Sequence, residues 1–274
     1  MTGRVALLWR EFRGVRAGWL AQRSSGAHEP SVFERAALYH PRDITAEDLK
    51  RALAVSEEPE LLAKLVNISR AAFGFYVGQF TYTINYPWVA TQLQHLPPGS
   101  RVLDVGAGLN PIPLWLAQRG MMVESVDSHP IVRLLPPTGD WNEWGFFDYR
   151  QLDPKVKSHH CTIIEFTPAD HFDAIYAVCV LAHMPRATWK ETLRRCREWL
   201  RPGGKLVLTI DLIPASDFVW NFSEGVEVEP LLVHGTVREV LHHLASSGFQ
   251  VNQARTLRTL YNSRTDLLLI DCTA

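Results

Sequence analysis

The chain has 274 residues and a formal net charge of −1, which allows one large domain and excludes the global basic field that nucleic-acid binding usually needs. Cys161, Cys179, Cys196 and Cys272 form no CxxC pair and three lie in apolar runs, so they read as reduced thiols of a cytoplasmic protein, not as disulfides or zinc ligands. No apolar run approaches the ~20 residues that cross a bilayer.

The first stretch is basic and amphipathic. Arg4, Arg10, Arg13, Arg16 and Arg23 interleave with apolar residues such as Trp9, Phe12 and Trp19, and Glu11 is the lone acid. A transit peptide, a membrane-surface helix and an arm packed on its own domain or a second subunit all fit; Gly14 and Gly18 weaken a free helix and favour the packed arm. After a join at Ser24-Ser25-Gly26 and Pro30, residues 31 to 95 read as helical, with Leu61, Leu62, Leu65 and Ile68 at helical spacing. The pattern breaks over residues 74–80, and Pro87 is expected to start a helix from Trp88 to Leu96.

From Arg101 onward strands and helices alternate, which predicts a parallel sheet with helices on both faces. The expected strands are 101–105, 123–127, 160–164, 172–178, 205–211, 249–254 and 267–272. Helices are expected after Asn110, briefly at 131–135, from Trp189 to Leu200, and from a Thr236 cap to about Ser246. Between 136 and 150 lies an aromatic loop with Trp141, Trp144, Phe146, Phe147 and Tyr149. His159-His160 and His242-His243 have no Cys or His partner at zinc spacing, and adjacent residues on one element point apart, so no metal site is expected.

One stretch carries the chemistry. A buried strand, Arg101 to Val105, runs into Gly106-Ala107-Gly108, a turn that lets a ligand approach the backbone; Asn110 and Pro111 suit a helix start. Asp127 ends the next strand, about 20 residues past the glycines, the spacing that places an acid on a ribose hydroxyl. A dinucleotide site would want a third glycine, but the sequence reads Asn110-Pro111-Ile112-Pro113. Asp104 would also repel a pyrophosphate and attract a cationic tail.

These features together resemble motif I of class I S-adenosylmethionine (SAM)-dependent methyltransferases. Phe172–Pro185, Leu200–Leu206 and the closing helix–strand–strand resemble the same family. The resemblance implies an α/β fold: a Rossmann-like seven-stranded methyltransferase sheet with helices on both faces over residues 96–274, and a helical N-terminal arm and lid over 1–95. It implies SAM as cofactor, contacted by Asp104, Gly106, Ala107, Gly108, Asp127, Ser128, Thr162, Ile163 and Val178. Two positions depart from the family. The acid that often bonds the adenine is replaced near Cys161-Thr162. The loop after the fourth strand reads Leu181-Ala182-His183 instead of Leu-Glu-His, which argues against metal-assisted chemistry.

His183 is the candidate base, with a pKa suited to neutral pH; a histidine that only bonds the loop backbone is the plainer alternative. Tyr82, Tyr86, Trp141, Trp144, Tyr149 and Trp220 are candidate substrate contacts, against a reading as a satellite core. The expected function is methyl transfer to a nitrogen or oxygen of a small molecule of specialised metabolism, with no nucleic-acid or membrane partner and a homodimer left open. Alternatives are a methyltransferase acting on RNA or protein, docking through the basic arm, and a non-catalytic SAM-fold partner subunit.

Overall fold

The computed structural model describes residues 57–74, 80–132, 145–223, 225–258 and 265–274. The basic arm and Trp141 and Trp144 lie outside the described residues.

Helix α1, Pro59–Phe73, starts on a proline and stops at Gly74, whose left-handed φ of 81° lets its N–H reach the Arg70 carbonyl. Helix α2, Phe80–Leu93, begins seven residues before Pro87 and carries that proline inside. The expected start at Trp88 is therefore corrected. Asn85, Tyr86, Trp88, Val89, Ala90 and Leu93 are all buried, and tertiary packing overrides the proline's break.

The α/β alternation follows: β1 Arg101–Val105, α3 Ile112–Gln118, β2 Met122–Asp127, β3 Val156–His160, β4 Phe172–Val178, α4 Arg186–Trp199 and β5 Leu200–Leu212. A two-stranded ribbon, β6 Phe222–Ser223 and β7 Val226–Glu227, precedes α5 Leu231–His234, α6 Val237–Ser246, β8 Gln250–Leu257 and β9 Asp266–Thr273. The seven-stranded sheet has the order β3-β2-β1-β4-β5-β9-β8. Its first five strands pair in parallel; β9 is antiparallel to β5 and β8 to β9.

The third strand lies four residues earlier than expected, because Val156–His160 pair in register with Val123–Asp127. Ile131 is extended and bridges Phe146, where a helix was expected. Thr236 forms the expected cap of α6, with Glu239 reaching back to its N–H.

Alternation along the strands divides the core into two layers. Val102 and Tyr176 face α1, α2 and α3, while Leu103, Val105 and Ile175 face α4 and α6. Asp104 pairs with Tyr176 in the β1–β4 register, so its carboxylate points into the first layer.

Tyr149 was expected to line a substrate pocket; the structure corrects this. It is fully buried, in edge contact with Phe73 and Phe147 at centroid distances of 6.0 and 5.3 Å. Its hydroxyl donates toward the Gly108 carbonyl at 2.9 Å and accepts the Asn110 N–H at 3.0 Å. A phenol in the core thus braces the glycine turn from below. Tyr149→Phe strands a buried backbone N–H and is expected to lower the unfolding free energy by about 1–3 kcal/mol, read from urea titrations at unchanged slope. A loss under about 0.5 kcal/mol, the size of a neutral surface change, would mean that the hydroxyl braces nothing.

Candidate active site

The C-terminal ends of β1, β2 and β4 surround a cavity of about 220 Å³. Gly106 and Gly108 have φ of 69° and 50°, the left-handed region that glycine enters without strain. The N–H groups of Gly106 and Ala107 both donate to the Val126 carbonyl, at 2.8 and 3.2 Å. A Cβ on Gly106 would stand 2.5 and 2.7 Å from the Val180 methyls, so no other residue fits without movement.

Asp127 closes the turn. Its Oδ2 accepts the Gly108 N–H at 2.8 Å, and its Oδ1 accepts the His129 N–H at 2.7 Å and pairs with His129 Nδ1 at 2.8 Å. Burial acts to raise its pKa, but the bonds from His129 and Gly108 outweigh burial and hold the carboxyl below its usual value. Asp104 has the opposite fate. It accepts one bond from Asn110 Nδ2 at 2.9 Å, and burial pushes its pKa up to about 7 against the lowering effects of Asn110 and Tyr176, with the Asp127 charge adding to the rise. Asn110 Oδ1 accepts the Ile112 N–H at 2.9 Å, so one side chain ties the buried acid to the start of α3.

His183 lies in a single helical turn after β4 and lines the cavity. Its Nδ1 is 2.9 Å from the Phe222 carbonyl oxygen, which assigns the proton to Nδ1 and leaves Nε2 as the basic nitrogen. Burial lowers its pKa, the Phe222 carbonyl raises it, and His129 and His234 lower it further, with a net value below the ordinary 6.5. The imidazole is therefore neutral at pH 7.

A family model described as a methyltransferase domain matches residues 81–265. The chain belongs to the class I SAM-dependent methyltransferase family. Similar curated proteins are the ubiquinone biosynthesis O-methyltransferases of Xanthomonas axonopodis pv. citri (strain 306), 31% identical over 48% of this chain and 52% of that protein, and of Xanthomonas oryzae pv. oryzae (strain PXO99A), 33% identical over 43% and 46%. The chain thus spans about half the length of the curated relatives it matches. Among solved structures, the 1,6-didemethyltoxoflavin-N1-methyltransferase of Burkholderia thailandensis superposes with a TM-score of 0.52 at 18% identity, over 68% of this chain and 76% of that one, and shares the fold.

Within this member of the family the structure sorts the expected site residues. Tyr86, Gly106, Ala107, Gly108, Asp127, Ser128, Val178 and His183 line the cavity. Asp104 sits buried beneath the turn. Thr162 and Ile163 do not line the cavity: the Thr162 hydroxyl donates to Glu165 at 2.7 Å, and Ile163 packs into the second core layer. Trp220 does not line it either; its indole N–H donates to the Phe222 carbonyl at 3.0 Å. Tyr82 falls on α2, but its side chain lies outside the described residues. Leu109, Asn110, His129, Cys179, Val180, Met184 and Ser223 line the cavity and were not expected to. His129 carried a signal in its place two residues past the strand-ending acid; Ser223 carried none, since the ribbon after β5 brings it in. Among the described residues no group of three or more His, Cys, Asp or Glu is placed to hold a metal, and no helix is long and apolar enough to cross a membrane.

The raised pKa of Asp104 gives a pH signature. Between the ordinary aspartate value of 3.8 and about 7, the native chain keeps a proton that the unfolded chain releases, so stability falls as pH rises through that window. Asp104→Asn removes this titration. Its unfolding free energy relative to wild type is expected to rise steadily in urea titrations from about pH 4 to about pH 7. A constant difference across that window would contradict a raised pKa.

Proposed function

We propose that the chain transfers the methyl group of SAM to a hydroxyl oxygen of an uncharged small molecule. The observation that carries this reading is His183, a neutral imidazole on the cavity wall with Nε2 left basic. A hydroxyl must lose its proton as it attacks carbon, and a base with a depressed pKa holds no proton of its own near neutrality. The names of the curated relatives, which are O-methyltransferases, support an oxygen acceptor. No lysine or arginine appears among the described lining residues, which suits an uncharged acceptor better than a phosphate or carboxylate.

The residues present fit the cofactor. The left-handed glycine turn presents bare backbone to the cavity, Gly108 N–H fixes Asp127 for a ribose, and Asp104 holds latent negative charge for a cationic group. When bound, SAM supplies an electrophilic methyl group. The chain binds and orients the partners, excludes water, and accepts the acceptor's proton at His183 Nε2. Ala182 leaves His183 without an acidic neighbour in that turn, so metal-assisted deprotonation is not part of this reading. The free thiols at Cys161, Cys179, Cys196 and Cys272 fit a reducing, cytoplasmic setting.

His183→Gln is expected to lower kcat by about 100-fold or more while leaving SAM affinity unchanged. The assay is transfer of labelled methyl to a panel of hydroxylated small molecules. Wild-type kcat should fall only below the ordinary histidine range, as the imidazole takes up a proton. A His183→Gln enzyme with wild-type kcat would remove the base.

A further inference from the structure

The hydrogen bonds at Asp127 leave less capacity than a ribose requires. A carboxylate oxygen offers about two lone-pair sites. Both sites on Oδ1 are taken by residue 129, through its backbone N–H at 2.7 Å and its ring Nδ1 at 2.8 Å. Oδ2 accepts the Gly108 N–H at 2.8 Å, which leaves about one site on that oxygen. A ribose brings two hydroxyl donors to one remaining place.

Of the three donors, two are backbone amides fixed by the turn that positions the carboxylate. The imidazole is the one that can leave. Its side chain is 41% exposed, whereas that of Asp127 is 4% exposed. Its backbone is anchored separately, because the His129 carbonyl pairs with His160 Nε2 at 2.8 Å. Rotation of the ring therefore gives up its bond to Asp127 and leaves the backbone bonds of the turn in place.

Resting on the SAM reading above, we propose that the His129 imidazole and the cofactor's ribose hydroxyls compete for Asp127 Oδ1, and that the ring turns out toward solvent when SAM binds. His129 is thus a positioning residue that makes cofactor affinity sensitive to pH. A neutral ring releases Oδ1 for one ordinary hydrogen bond; an imidazolium holds it about twice as strongly. Acidification through the titration of His129 then weakens SAM binding. The titratable groups that interact with residue 129 are Asp127 on β2, paired with its ring, His160 at the end of β3, bonded to its carbonyl, and His183 after β4, whose pKa it lowers. Replacing His129 also shifts the titrations of Asp127 and His183, which its ring lowers, so the Asp127→Asn and double variants are what separate the ring's competition from those shifts.

The test is calorimetric titration of the full chain with SAM at about pH 6, 7 and 8, comparing wild type, His129→Ala, Asp127→Asn and the double variant. His129→Ala is expected to bind SAM about three- to tenfold tighter at pH 7, the worth of one neutral hydrogen bond, with the ratio widening at acid pH and narrowing at alkaline pH. Asp127→Asn should weaken binding, and adding His129→Ala to it should then change little. Equal or weaker binding by His129→Ala, with Asp127→Asn still weakening it, overturns the competition and leaves the cofactor reading intact. A wild type and an Asp127→Asn variant that bind SAM equally would also overturn the competition, by removing Asp127 from the ribose; no SAM binding by the wild type at any of the three pH values would instead sink the cofactor reading itself.

Discussion

Everything at this site depends on how closely the backbone of residues 106–108 approaches its neighbours. Gly106 turns left-handed directly beneath Val180, and there is no room for a Cβ between them. That contact exists because β1 and β4 are adjacent in the sheet, so the loops leaving their C-terminal ends meet. β2, on the other side of β1, supplies the Val126 carbonyl and the Asp127 carboxylate that hold the turn's N–H groups. Strand order, glycine placement and acid placement are thus one constraint seen from three sides. The Tyr149 hydroxyl completes it from the core, and Asn110 links it to α3.

Two carboxylates share this small volume, and their environments drive them apart. Asp127 is surrounded by donors and stays ionised. Asp104 has a single strong donor and lies deeper, so its proton remains near neutral pH. A pair of fully ionised acids beneath a tight turn would repel each other and destabilise the fold. One ionised acid and one half-protonated acid preserve the turn and still leave charge available to a cationic ligand. The same difference in donor supply separates the roles proposed for them: Asp127 as a fixed acceptor, Asp104 as an adjustable charge.

The cofactor end of the site was legible in the sequence because its determinants are local. A strand, two glycines and an acid at fixed spacing bring their own geometry, and the family resemblance agreed with the sheet found. The acceptor end was less legible because its determinants are long-range. Tyr149 and Trp220 read as pocket aromatics from composition, yet one reaches a backbone 41 residues away to brace the turn and the other bonds the carbonyl that orients His183. Phe222 and Ser223 join the site through a two-residue ribbon that no local periodicity announces. α2 hid behind Pro87, since a proline reads as a boundary until burial on nearly every side of the helix outweighs it. Thr162 and Ile163 fell outside the cavity because β3 ends earlier than its apolar residues suggested.

The central claim is that the bare, left-handed backbone at Gly106 is what admits SAM. The most direct test is calorimetric titration of Gly106→Ala with SAM, alongside Gly106→Ala/Val180→Ala, with thermal melts to confirm folding. The account predicts at least about a tenfold loss of affinity in the single variant, about 1.4 kcal/mol or more, and partial recovery when the Val180 methyls are removed. A folded Gly106→Ala variant that binds SAM as tightly as wild type would contradict it.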